Sequence, residues 1–98
     1  MTIEIKKTGE TAVIELAGRL DTSTAPILDK TINDEISDNI QLTLDLKELE
    51  YISSAGLRVL LSSQKRMQKH GSMKLKNVCE EVMDVFEMTG FADILEIE

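Results

Sequence analysis

The chain switches hydrophobic period across one short stretch, and that switch limits the folds open to it. From Ile40 to Leu46, the apolar Ile40, Leu42, Leu44 and Leu46 alternate with Gln41, Thr43 and Asp45, the pattern of a strand buried on one side. From Leu57 onward, Leu57, Leu60, Leu61, Gln64 and Met67 fall on one helical stripe, and Arg58, Ser62, Lys65 and Lys69 on another. Gly56, Val59 and Ser63 form a small-residue seam beside the first. Between strand and helix stand a short polar loop and the adjacent Ser53 and Ser54. A hydroxyl at such a junction can accept a bond from a free backbone N–H. The same N–H groups and the helix dipole favour an added negative charge.

Both sides of this hub repeat the same two periods. Thr2–Lys7 alternates as a half-buried strand, Thr8-Gly9-Glu10 is a turn, and Ala12–Ala17 follows as the second arm of a hairpin. Gly18-Arg19-Leu20-Asp21 then leaves the sheet. A helix of roughly Ser23–Ser37 is expected next, capped by Thr22 or Thr24, with Pro26 in its first turn and Ala25, Leu28, Ile32 and Ile36 facing inward. Asp38-Asn39 ends it. The helix after the serine pair should close at His70-Gly71, with Gly71 in a left-handed cap. Ser72–Lys76 reads as a short strand built on Met73 and Leu75. Asn77 or Cys79 can cap a last helix, Glu80–Met88, which buries Val82, Val85 and Phe86 and stops at Gly90. Ile94–Ile97 is an optional closing edge strand. This order predicts a layered α/β fold, with a four- to five-stranded mixed sheet, a largely parallel core, right-handed crossovers and about three packed helices.

Ninety-eight residues suit one domain, 1–98, able to bury roughly 60–68% of the surface its unfolded chain exposes. With only three aromatics, Tyr51, Phe86 and Phe91, the core must be aliphatic. No apolar run approaches the ~20 residues of a membrane span, and a chain without a signal peptide is expected. The single cysteine, Cys79, excludes an internal disulfide and a CxxC zinc site, so a reducing, cytoplasmic setting is expected. A net charge of −7 argues against nucleic acid and against an anionic membrane surface, both of which want a basic patch. The acidity serves solubility or a basic protein partner. Polar exposed faces point to a monomer.

A serine-hydrolase reading fails on spacing. The only histidine, His70, lies 16 residues from Ser54, about 24 Å along a helix, and a nucleophile needs its base in hydrogen-bond reach. Ile52 and Glu50 occupy the glycine positions that a Gly-x-Ser-x-Gly elbow would need. No phosphate-binding loop or HExxH motif is present, so catalysis, a metal and a cofactor are not expected.

At Tyr51-Ile-Ser-Ser-Ala-Gly-Leu57 the chain resembles the STAS family, which comprises bacterial anti-sigma factor antagonists and related domains of sulfate transporters. The family carries an acidic residue, a serine, a small residue, glycine and leucine between its third strand and second helix. Three further pieces resemble family features: Gly18-Arg-Leu-Asp21 with Thr24-Ala25, Asp45-Leu-x-x-Leu49, and Phe86-Glu-Met-Thr-Gly-Phe91. The resemblance covers nearly the whole chain. It implies an antagonist that binds an anti-sigma factor serine kinase and so frees a sigma factor. That kinase phosphorylates the motif serine and weakens the complex, and a PP2C-type phosphatase restores it. By position the phosphoacceptor is Ser54, two residues before Gly56. Ser53 stands where the family motif has its acid, so two hydroxyls adjoin and Ser53 is the second candidate. Asp21, Thr22, Ser53, Ala55, Gly56 and Arg58 are the expected partner-binding residues. The alternative is a phosphorylation-independent STAS interaction module in a signalling or lipid-transport complex.

Overall fold

The computed structural model describes residues 1–98. Its order is β1 (Thr2–Thr8), β2 (Thr11–Leu20), α1 (Ala25–Glu35), β3 (Ile40–Ile52), α2 (Ser54–His70), β4 (Gly71–Lys76), α3 (Glu80–Thr89) and a 3-10 turn at Phe91–Asp93. The sheet runs β1-β2-β3-β4: β1 pairs antiparallel with β2, and β2-β3 and β3-β4 are parallel, each joined through a helix. This is the mixed sheet with three helices that the periodicity predicts. One sheet face is apolar, with Ala12, Ile14 and Leu16 of β2, Leu42, Leu44 and Leu46 of β3, and Met73 and Leu75 of β4 all buried. Leu28 and Ile32 of α1, Leu57, Leu60 and Met67 of α2, and Val82 and Phe86 of α3 belong to the same core. No helix is long and apolar enough to cross a membrane.

Both central strands run further than their alternation indicates. Gly18–Leu20 stays in the sheet, and β3 continues through the supposed polar loop to Ile52. The reason is two extra residues in β3. Glu15 faces Asp45 but Ala17 faces Glu48, and Gly18 faces Leu49 but Arg19 faces Tyr51. Each irregularity shifts the side-chain phase, so Leu46, Leu49 and Ile52 are buried at intervals of three rather than two. A period-two reading therefore stops at Leu46.

The helix ends also differ from expectation. Neither Thr22 nor the Thr24 side chain caps α1 directly; the Asp21 carboxylate accepts instead from the Ser23 and Thr24 N–H groups, at 3.0 and 3.1 Å. Gly71 is not a left-handed cap. It has φ +153° and opens β4, where a side chain would collide with the Ile40 carbonyl. Cys79 stands at the N-cap of α3 without a capping bond, its Sγ lying 3.5 Å from the Leu49 carbonyl, and Asn77 instead donates to Asp45. Val85 and Leu61 are half-buried rather than core. Ile94–Ile97 forms no strand; Ile97 makes a single parallel bridge to Leu75 at the free edge of β4.

Two polar residues of α2 lock its layer. Buried Gln64 donates to the Met73 carbonyl at 3.2 Å and accepts from the Glu96 N–H at 3.3 Å, tying α2 to β4 and the C-terminal segment. Arg66, to which no local pattern assigns a role, donates to the Ile36 carbonyl, to the Ile32 carbonyl at 3.5 Å and to Asn33 at 3.4 Å, with Asp38 at 3.6 Å. It thus satisfies the last carbonyls of α1, which lacks a basic residue in its own final turn. Removing such a charged donor costs about 1.5–3 kcal/mol. Arg66→Ala should therefore lower the urea midpoint with an unchanged slope, and Arg66→Lys should recover part of the loss.

Candidate functional site

The parallel strands β2 and β3 end side by side, and each feeds directly into a helix. The last bond of the pairing runs from the Ser53 N–H to the Leu20 carbonyl, at 2.9 Å. Asp21 and Thr22 follow Leu20, and Ser54 follows Ser53, so the two helix entries form one corner at the carboxyl ends of the strands. This corner brings together Asp21, Thr22, Ser53, Ser54, Ala55 and Gly56. Arg58 lies one turn further along α2.

The two serines do different work. Ser53 is the N-cap of α2, in extended backbone, and its half-buried hydroxyl accepts from the Gly56 N–H at 3.3 Å. Ser54 is the first helical residue and exposed, and its hydroxyl makes no hydrogen bond to the protein. The capping role that sequence alone could assign to either serine thus belongs to Ser53.

Gly56 is buried because nothing larger fits. A Cβ there would lie 2.8 Å from Leu20 Cγ and 2.9 Å from Ile52 Cγ1. Those are the terminal side chains of β2 and β3, so the first turn of α2 rests directly on the strand ends. Leu57 beside it is buried as an anchor, while Ala55 is half-buried and Arg58 exposed. The helix is thereby held in one rotation, with Ser54 and Arg58 both on its outward half.

Asp21 is half-buried rather than fully exposed, and it organises the other entry. One carboxylate oxygen accepts from the Ser23 hydroxyl at 2.8 Å and from the Ser23 and Thr24 N–H groups. In return the Asp21 N–H donates to the Thr24 hydroxyl at 2.8 Å, and that hydroxyl donates to the Arg19 carbonyl at 2.8 Å. The Ser23 hydroxyl bond, with the Thr24 N–H next, holds the Asp21 carboxyl below the usual carboxylate range. Arg19 stacks over the Tyr51 ring at 4.0 Å, with its Nε 3.9 Å from Asp21. Sequence spacing gives no sign of this Arg19–Tyr51 plate, since the two become neighbours only through the second irregularity of β3.

The corner is a surface rather than a cavity. The largest depression, about 640 Å³, lies along Ala17, Gly18, Lys47–Glu50, Cys79 and Glu81 and includes neither serine. His70 ends α2 at the far side of the molecule from Ser54, with its Nδ1 3.9 Å from Asp38, so the two share no site.

Known proteins resemble the chain over its whole length. A family model described as the STAS domain matches residues 2–98. An anti-sigma-B factor antagonist of Bacillus subtilis is 30% identical over 98 residues, covering 99% of this chain and 90% of that one. Another anti-sigma-B factor antagonist, from Listeria monocytogenes, is 32% identical over 101 residues, covering 100% and 89%. Among solved structures, an anti-sigma factor antagonist from Mycobacterium paratuberculosis superposes with a TM-score of 0.86 at 22% identity, over 98% of this chain and 83% of that one. The antagonist SpoIIAA superposes at 0.81 in its unphosphorylated form and, in Bacillus, at 0.71 in its phosphorylated form. Both are 19% identical and cover 99% of this chain, and 88% and 91% of those chains respectively.

Gly56→Ala should cost about 1–3 kcal/mol in chemical denaturation, as for other over-packed cores, although alanine is the better helix former. Asp21 has the sign of a carboxylate bonded in the folded state. Its contribution is complete above the ordinary carboxylate pKa and is lost as pH falls through the lower folded value. The stability gap between the wild type and Asp21→Asn should accordingly narrow as the pH of the denaturation series drops from about 5 to about 2.

Proposed function

This chain belongs to the STAS domain family, and from that premise we propose that it acts as an anti-sigma factor antagonist controlled by a phosphate on Ser54. In this reading the unmodified chain binds an anti-sigma factor that is also a serine kinase, and so releases a sigma factor. The kinase moves the γ-phosphoryl of ATP onto Ser54 Oγ, forming the new P–O bond as ADP and the hydroxyl proton leave. A PP2C-type phosphatase hydrolyses that bond and restores binding. The setting is the cytoplasm, where ATP and the transcription apparatus are found, and the chain acts as a binding partner and a kinase substrate. Full-length relatives named as anti-sigma factor antagonists support the binding role.

One observation carries the choice of acceptor. The Ser54 hydroxyl is exposed and unbonded, whereas the Ser53 hydroxyl is occupied by the Gly56 N–H and half-buried. A phosphate on Ser53 would have to fit at a half-buried hydroxyl that already serves the Gly56 N–H, whereas one on Ser54 leaves that cap untouched. Asp21, Thr22, Ala55 and Arg58 lie about the acceptor as the docking surface, and buried Gly56 contributes by seating the first turn of α2 beneath it.

The switch acts on docking rather than on folding. A phosphate adds about −1.5 to −2 charges, which the start of a helix tolerates. Inside a closed interface the same group must shed water and find a cation. Where none is offered, losing a buried charged contact costs on the order of 2–5 kcal/mol, roughly thirty- to several-thousand-fold in affinity.

Incubation with a cognate anti-sigma factor kinase and ATP should add one phosphate to the wild type and to Ser53→Ala, and none to Ser54→Ala, by intact mass. The modified wild type should lose binding by at least thirtyfold in titration calorimetry while its thermal midpoint stays within a few degrees. Addition of phosphate to Ser54→Ala would move the acceptor to Ser53. No addition to any protein, with binding retained, would instead establish the phosphorylation-independent module, the reading favoured by Ser53 standing in place of the motif's acid.

A further inference from the structure

Charge is segregated along this chain. α2 carries Arg58, Lys65, Arg66 and Lys69 and no acidic residue, whereas residues 80–98 carry seven acids and no base. Two of the three arginines are engaged: Arg66 with the end of α1 and Asp38, and Arg19 with Tyr51 and Asp21. Arg58 is exposed and has no carboxylate within ion-pair distance. It stands four residues after Ser54, the spacing that sets two side chains one above the other on a helix, with Cβ atoms about 5–6 Å apart.

We infer that Arg58 is the intramolecular counter-ion of a phosphoryl group on Ser54, folding its guanidinium back over the first turn of α2 onto the phosphate. This rests on the reading of Ser54 as phosphoacceptor. Two observations and one chemical preference carry it. Leu57, Leu60, Gln64 and Met67 are all buried, which fixes the rotation of α2 and leaves Ser54 and Arg58 on its outward half. No carboxylate on α2 competes for the guanidinium, and the nearest engaged acid across the corner, Asp21, already accepts from Ser23 and Thr24. The planar fork of arginine also matches two phosphate oxygens at once, which a lysine cannot do.

The pairing has a regulatory consequence. In the unmodified chain Arg58 is free to meet a partner. After phosphorylation it is drawn onto the chain's own helix, so one modification adds an anion to the docking surface and withdraws a cation from it.

The test installs phosphoserine at position 54 by genetic-code expansion, so that it does not depend on any kinase. Four proteins are compared: serine or phosphoserine at 54, each with Arg58 or with Arg58→Gln. Phosphorus NMR should show the phosphate losing its second proton at a pH about 0.3 higher in Arg58→Gln, since the guanidinium favours the dianion. Asp21 and Arg19 on the adjoining strand end are common to both proteins and cancel in the difference. The arginine Nε–H resonance of Arg58 should move on modification. Phosphoserine should raise the thermal midpoint by about 2–4 °C more with Arg58 than with Arg58→Gln. Identical phosphate titrations and an unmoved Arg58 resonance would overturn the inference, even if a kinase is found to label Ser54. A shifted titration with no kinase able to label Ser54 would uphold the pairing and reject the phosphoacceptor reading.

Discussion

The arrangement depends on one bond, from the Ser53 N–H to the Leu20 carbonyl, which ends the parallel pairing of β2 and β3. It stops both strands at the same level, so the two chain segments beyond it must turn together. Each segment leads into a helix start, a place where backbone N–H groups lack helical acceptors. The Asp21 carboxylate takes the Ser23 and Thr24 N–H groups just ahead of α1, its carbonyl takes the Ala25 N–H, and Ser53 takes the Gly56 N–H in the first turn of α2. Gly56 then lets α2 settle onto Leu20 and Ile52. Two helix entries are thus anchored to one pair of adjoining strand ends, and the exposed hydroxyl of Ser54 is presented on helical backbone rather than on a loop.

Anchoring of that kind suits a switch that alters recognition and leaves the fold alone. The core beneath the corner is built from Leu20, Leu49, Ile52 and Leu57, and none of the polar residues on the corner contributes to it. A charge added above this layer changes the local field without opening the packing. The same separation explains why Arg66, Gln64 and the hydrogen bonds of Asp21 concern stability, while Ser54 and Arg58 make almost no contacts of their own.

Much of this was legible in the sequence, because alternation and helical spacing are set by burial on a single face. The hairpin, the three helices, the inner stripes of α1 and α2 and the serine junction all follow from those two periods. The far halves of β2 and β3 did not. Two extra residues in β3 break the alternation, so Leu49 and Ile52 look like isolated apolar residues in a polar loop when they are core. Contacts that depend on this register were equally hidden, the Arg19–Tyr51 stack among them. The α1 cap was missed for a different reason. Threonine is the stronger local signal beside Pro26, but the Thr24 hydroxyl is turned back to the Asp21 N–H and the Arg19 carbonyl, and the Asp21 carboxylate closes the turn ahead of the helix. Arg66 joins elements 30 residues apart, and no local pattern reports such a bond.

The serine at position 53 carries a physical lesson of its own. Serine and aspartate are about equally good N-caps, so placing serine where the family motif has an acid leaves the start of α2 as stable as before. What changes is charge. An acid there would impose a permanent negative field on Ser54, opposing any phosphate placed on that hydroxyl and competing for any nearby cation. With Ser53 there, the unmodified corner has the Asp21 carboxylate, committed to Ser23 and Thr24 with Arg19 Nε 3.9 Å away, and a free guanidinium at Arg58. The electrostatic contrast between the two states of such a corner is larger than in a corner that is already acidic. Two guanidinium groups beside one carboxylate give this set a small positive charge, which a phosphate of about −1.5 to −2 on Ser54 would turn negative.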